Sequence, residues 1–127
     1  MEEYLFSLVS GAVTFTVNWA SLGDGTDLPR ASIFRTSGVR EMHLRGKGLM
    51  QTRLQVDCYG ATFEQALGAS REVRDVLEGY RSGVIQGVFL ESTRDGTERA
   101  QDARLGLRDV EQLLQRVSLT FAVRHRD

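Results

Sequence analysis

The sequence predicts an α+β fold, a mostly antiparallel β-sheet packed by one main α-helix. Three observations carry that expectation. Several stretches alternate apolar and polar residues at the period of a strand. One central stretch repeats its apolar residues every three or four positions, the period of an amphipathic helix. Glycine, proline and small polar residues punctuate the boundaries between them. Strands, then a helix, then strands again put the helix on one face of the sheet. With 127 residues the chain matches one domain able to bury a core without staples, so residues 1–127 are read as a single domain.

Residues 2–9 suit a short N-terminal helix. In AVTFTVNW, Val13, Phe15, Val17 and Trp19 alternate with Thr14, Thr16 and Asn18, the pattern of a half-buried strand. A loop rich in glycine and aspartate then leads to Pro29, and RASIFRTSG reads as a second strand that Gly38 ends. The polar connection that follows has a turn at Gly46–Gly48. In MQTRLQVDCYG, Thr52, Leu54, Val56 and Cys58 share one face. Arg53, Gln55, Asp57 and Tyr59 share the other, which is open to water or to a neighbouring molecule.

The main helix, about residues 62–80, starts directly after Gly60. Thr62 is a good N-cap and Gln65 completes a capping-box pattern. Ala66, Leu67, Ala69, Val73, Val76, Leu77 and Tyr80 form its apolar stripe, and Gly79 or Gly83 supplies its stop. GVIQGVFLES reads as a strand covered on both sides. A long charged loop, about residues 94–112, comes next, and QRVSLTFAVRHR forms the final strand.

Composition narrows the functional classes. Sixteen basic and seventeen acidic side chains leave a formal net charge of -1, which provides no field for gathering a polyanion. No stretch approaches the roughly 18 apolar residues that cross a bilayer. Cys58 is the single cysteine and cannot form an internal disulfide.

Chemistry is sparse as well. Cys58, His43 and His125 lie far apart in sequence, and Cys58 sits on the apolar side of its strand, which argues against a metal site and against a Cys–His nucleophile. The glycine pairs at 23–25 and 46–48 lack the frame of a phosphate-binding loop. No cofactor is expected. A small ligand-binding or enzymatic domain built on Asp57, Tyr59 and His125 is the alternative from a different class.

Four stretches in order, LPRASIFRTSG, RLQVDCYGATFEQALGASREVRDVLEGY, VIQGVFLESTRD and QRVSLTFAVRHR, resemble the tail-terminator (tail-completion) proteins of long-tailed bacteriophages and gene transfer agents. Arg53, Gln55, Asp57 and Cys58 match the strand motif, and Tyr59, Ala61 and Thr62 match the junction. Arg116, Val117, Ser118, Leu119, Phe121 and Val123 match the closing strand. Two features depart from the family: its first helix is usually longer, and residues 94–115 are more extended here.

The resemblance implies a structural, non-enzymatic virion protein. It would form a homo-hexameric ring that caps the tail tube and joins it to the neck. The partners would be other copies of the chain, the tail tube protein and the neck or head-completion protein, with DNA met only by passage through the lumen. Assembly would occur in the host cytoplasm, at the tail–neck junction of the particle. A neck adaptor or tube subunit is the close alternative. The candidate contact residues are Arg53, Gln55, Asp57 and Tyr59 on the open strand face. Arg94, Asp95, Glu98, Arg99, Asp102 and Arg104 are the candidates from the charged loop.

Overall fold

Alternation over residues 50–60 is that of a strand with one side in a core, and this segment lies at the centre of the sheet. The computed structural model describes residues 2–19, 28–40, 50–83, 85–99 and 113–125. In chain order these form α1 (Glu2–Ala12), β1 (Thr16–Trp19), β2 (Arg30–Arg40) and β3 (Met50–Gly60), then α2 (Phe63–Leu77), β4 (Ile85–Arg99) and β5 (Leu113–His125). The five strands make one sheet in the order β1-β2-β3-β5-β4. Only β1 and β2 pair in parallel, and every other pairing is antiparallel. The fold class is α+β.

Register explains the core. Across β2, β3 and β5, Ala31, Cys58 and Val117 stand side by side, and Ile33, Val56 and Leu119 form the next row. Leu54 pairs with Phe121, and Val123 with Val88 of β4. All of these are buried and belong to one hydrophobic cluster with Ala66, Ala69, Val73 and Leu77 of α2 and Leu5 and Val9 of α1. Both helices therefore cover the same face of the sheet. Burial of this set supplies the main driving force for folding, at about 25 cal/mol per Å² of apolar surface.

The turn from β3 into α2 is tightly specified. The Thr62 hydroxyl accepts a hydrogen bond from the Gln65 amide at 3.2 Å, and the Gln65 side-chain oxygen accepts one from the Ala61 amide at 2.7 Å. Gln65 also donates to the Leu28 carbonyl at 3.0 Å, tying the helix start to the entry of β2. At the other end Gly79 and Gly83 both take positive φ, 79° and 53°, a conformation that glycine adopts without steric cost. The connection from α1 to β1 is held to α2 through Glu72, whose carboxylate accepts from the Thr14 amide and hydroxyl at 3.0 Å. The hydroxyls of Tyr4 and Tyr80 are also hydrogen-bonded to each other.

Several boundaries differ from the sequence expectation. The first helix runs to Ala12, and the strand expected over residues 12–19 is reduced to Thr16–Trp19. Val9 and Leu5 extend the helical stripe into the core, and the Val13 amide still bonds to the Val9 carbonyl. β2 continues past Gly38 to Arg40 because β3 pairs with it throughout, across a bulge at Thr36. The main helix ends at Leu77, with Thr62 as its cap and residues 78–80 already outside it.

The largest correction concerns residues 94–112. Residues Arg94–Arg99 are not a loop but the second half of β4, paired with Leu113–Ser118. The rest of that expected loop, like the turn at Gly46–Gly48, lies outside the described residues. β4 is an edge strand, and it is not covered on both faces, since Phe89 on the side away from the helices is 53% exposed.

Gly60 gives a direct test of the junction. A Cβ there would lie 2.7 Å from the Ala66 nitrogen and 3.0 Å from the Thr62 carbonyl oxygen, both backbone atoms. Gly60→Ala is expected to cost about 1–3 kcal/mol of stability by overpacking. Gly68, inside α2 with nothing near its Cβ position, is the control. Gly68→Ala should add up to about 1 kcal/mol through helix propensity. Urea denaturation of both variants checks the opposite signs.

Candidate functional site

The helices cover one face of the sheet and leave the other without a helical layer. Alternation along β3 sends Arg53, Gln55, Asp57 and Tyr59 to that helix-free face. Their register neighbours there are Ser32 and Ser118 beside Asp57, Arg30 and Arg116 beside Tyr59, and Phe34 and Thr120 beside Gln55. The four residues are thus gathered in one row, as the sequence predicts.

Their surroundings are less open than expected. Asp57 and Tyr59 are only 8% and 5% exposed, a correction to the picture of a face bare to water. Both residues lie on the central strand of the sheet, flanked by β2 and β5. Gln55 donates to the Asp57 carboxylate at 2.8 Å. The Arg53 guanidinium donates to Glu91 at 2.7 and 3.4 Å. This hydrogen bond, followed by the charge of Glu91, raises the pKa of Arg53 above its ordinary value. Glu91 reaches across β5 because a bulge between Leu90 and Ser92 inserts it as an extra residue.

Further along β4, Arg94 lies opposite Ser118 on the helix-free face, whereas Asp95 lies opposite Val117 on the other face. Both are exposed. Glu98 and Arg99 pair through their backbones with Leu114 and Leu113. Asp102 and Arg104 lie outside the described residues. The described candidate contacts therefore divide between a central row on β3 and the edge strand β4.

Sequence reasoning missed Phe89, Glu91 and Arg116. The Phe89 ring lies over Gly87, where a Cβ would come within 2.8 Å of it, and the Arg116 guanidinium lies over Gly96 in the same way, at 2.9 Å. Both glycines are filled by a larger neighbour, the arrangement known as aromatic rescue in the first case. Two glycines at alternate-face positions of β4 were the available signal. The Glu91 partnership had none, since 38 residues separate it from Arg53.

Among the described residues the candidate catalytic groups are not brought together. His125 lies on the helix-bearing side, buried, with its Nε2 2.9 Å from the Thr52 hydroxyl. Asp57 and Tyr59 lie on the opposite face. Cys58 shares a face with His125, but the register partner of His125 is Met50, eight positions along β3, about 27 Å at roughly 3.4 Å per residue. His43 lies outside the described residues. Among the described residues no group of three or more His, Cys, Asp or Glu is placed to hold a metal, and no helix is long and apolar enough to cross a membrane.

No protein-family model and no curated protein sequence matches the chain. Its fold does have a solved counterpart. A chain from the structure described as the virion of a native gene transfer agent particle superposes with a TM-score of 0.55. The match covers 97% of this chain and 84% of that one at 18% sequence identity. At that identity the likeness is one of fold.

Cys58 yields a pH test of the core beneath this face. Burial, with smaller contributions from Asp57 and Glu72, pushes its thiol far above the ordinary value of 9.0. The folded chain keeps the proton while the unfolded chain releases it, so stability is full below pH 9 and falls as pH rises above it. The expected loss approaches about 1.4 kcal/mol per pH unit. Cys58→Ala should remove that increment from the slope, read by urea denaturation between about pH 8 and 10.

Proposed function

We propose that this chain is a structural component of a virion-like particle, a tail-terminator subunit that forms a hexameric ring between tail tube and neck. The observation that carries the proposal is the full-length fold likeness to a chain of a gene transfer agent virion. It accords with the resemblance of the four sequence stretches, which are matched independently of any coordinates. The surface supports it too. On the described helix-free face Gln55 pairs with Asp57 and Arg53 with Glu91, with no concave cluster of reactive groups, and the exposed ring of Phe89 lies on the edge strand β4. Assembly on other copies of the chain and on tail and neck proteins is work such a surface can do.

A ring subunit needs a heterologous contact that closes on itself and buries upward of about 1,000 Å². Light scattering coupled to size exclusion is expected to give a mass of six subunits at micromolar concentration, alone or with the tail tube protein present. Negative-stain images should show closed rings. A strictly monomeric chain under both conditions, or a location in the particle away from the tail–neck junction, would overturn the assignment.

A further inference from the structure

Two exposed features at opposite edges of the sheet remain without a role. The first is Phe89 on β4, whose ring lies over Gly87 on the helix-free face and is still 53% exposed. Glu91 lies two residues along the strand, and Arg124 stands across from Gly87. The second is an open groove of about 580 Å³ at the β1 edge, lined by Glu3, Phe6, Ser7, Trp19 and Arg35. Trp19 pairs with Ile33, which places it on the helix-bearing side, and it is 40% exposed. The knob therefore points away from the helices at one edge, and the groove opens beside α1 at the other. Four strand steps of roughly 4.8 Å separate the edges, about 19 Å.

Resting on the ring reading above, we infer that Phe89 of one copy seats in the Trp19 groove of the next. Opposite faces at opposite edges let copies overlap in the same orientation, as roof tiles do. Such a head-to-tail contact repeats, and it closes into a ring when the rotation between copies permits. Aromatic rings meeting Phe6 and Trp19 provide the buried anchor expected at the centre of an interface. The charges are complementary at the rim: exposed Glu3 stands beside the groove and exposed Arg124 beside the ring of Phe89, opposite in sign. The occupant is a second copy of this chain.

Mixing of two damaged copies tests this. Phe89→Asp loses the knob and retains the groove, and Trp19→Asp loses the groove and retains the knob. Each alone is expected to sediment as a monomer with wild-type circular dichroism, while an equimolar mixture forms a dimer and nothing larger. Trp19 is the single tryptophan, so its emission should shift to the blue as the wild type assembles. That shift should be absent in Phe89→Asp.

Assembly of either variant into wild-type rings, or a mixture without dimers, overturns the inference while leaving the ring reading intact. A blue shift undiminished in Phe89→Asp assigns the groove to another occupant and overturns it as well. A wild-type chain that never assembles overturns both. Should Trp19→Asp fail to fold, Phe6→Asp is the second groove variant, read by the same mixture.

Discussion

No side chain fits at residue 60. The last residue of β3 lies against the first turn of α2 so closely that a Cβ would press on the Ala66 amide and the Thr62 carbonyl, and the rest of the fold follows from that contact. It fixes where the helix leaves the sheet, and Thr62 and Gln65 then fix its direction by holding the Gln65 amide in its first turn and the Ala61 amide just before it. Once α2 starts there, Ala66 and Ala69 are the residues laid against the sheet. Gln65 also links this corner to the Leu28 carbonyl, so the start of β2 is positioned by the same few atoms.

A helix fixed at one corner divides the sheet into two unlike faces. On the covered face, rows of small and branched residues from β2, β3 and β5 exclude water. On the other, polar side chains satisfy one another: Gln55 bonds to Asp57, and Arg53 to Glu91. A buried carboxylate such as Asp57 is tolerable because it has a donor at hand, since an unpartnered one would be costly. The second face is thus closed by hydrogen bonding rather than by a layer of structure. It can meet a partner without exposing the core beneath it.

Legibility in the sequence followed the range of the interactions. α2, its cap and the two faces of β3 were readable because they depend on residues at most a few positions apart, as Thr62 with Gln65 or Leu54 with Val56. The burial of Cys58 followed from the same alternation. The strand expected over residues 12–19 was misread because Val13 and Phe15 fit either period, and packing of Leu5 and Val9 favoured the helix up to Ala12. Arg94–Arg99 looked like a loop because its residues are charged or small. Only pairing with β5 makes it a strand, and that partner lies beyond residue 112. Of the candidate site, the β3 row was legible as a face. The pairing of Arg53 with Glu91 across it was not, since register between distant strands sets it.

The exposed edge of β4 poses a physical problem that bears on assembly. Ile85 and Val88 at its start are already bonded to Ser82 and Gly79. Among the described residues the rest of this fifteen-residue strand runs along the sheet edge, and such an edge invites another strand to add to it. Two features counter this: bulges at Gln86 and Glu91 interrupt the ladder, and Arg94 and Asp95 place exposed charges where a flat hydrophobic edge would polymerise. Backbone addition is thereby discouraged along most of the edge, and the apolar surface is concentrated in the single ring of Phe89. A guarded edge with one aromatic contact favours association of defined geometry over open-ended strand stacking. That is the difference between an assembly that closes after a fixed number of copies and one that grows as a fibre.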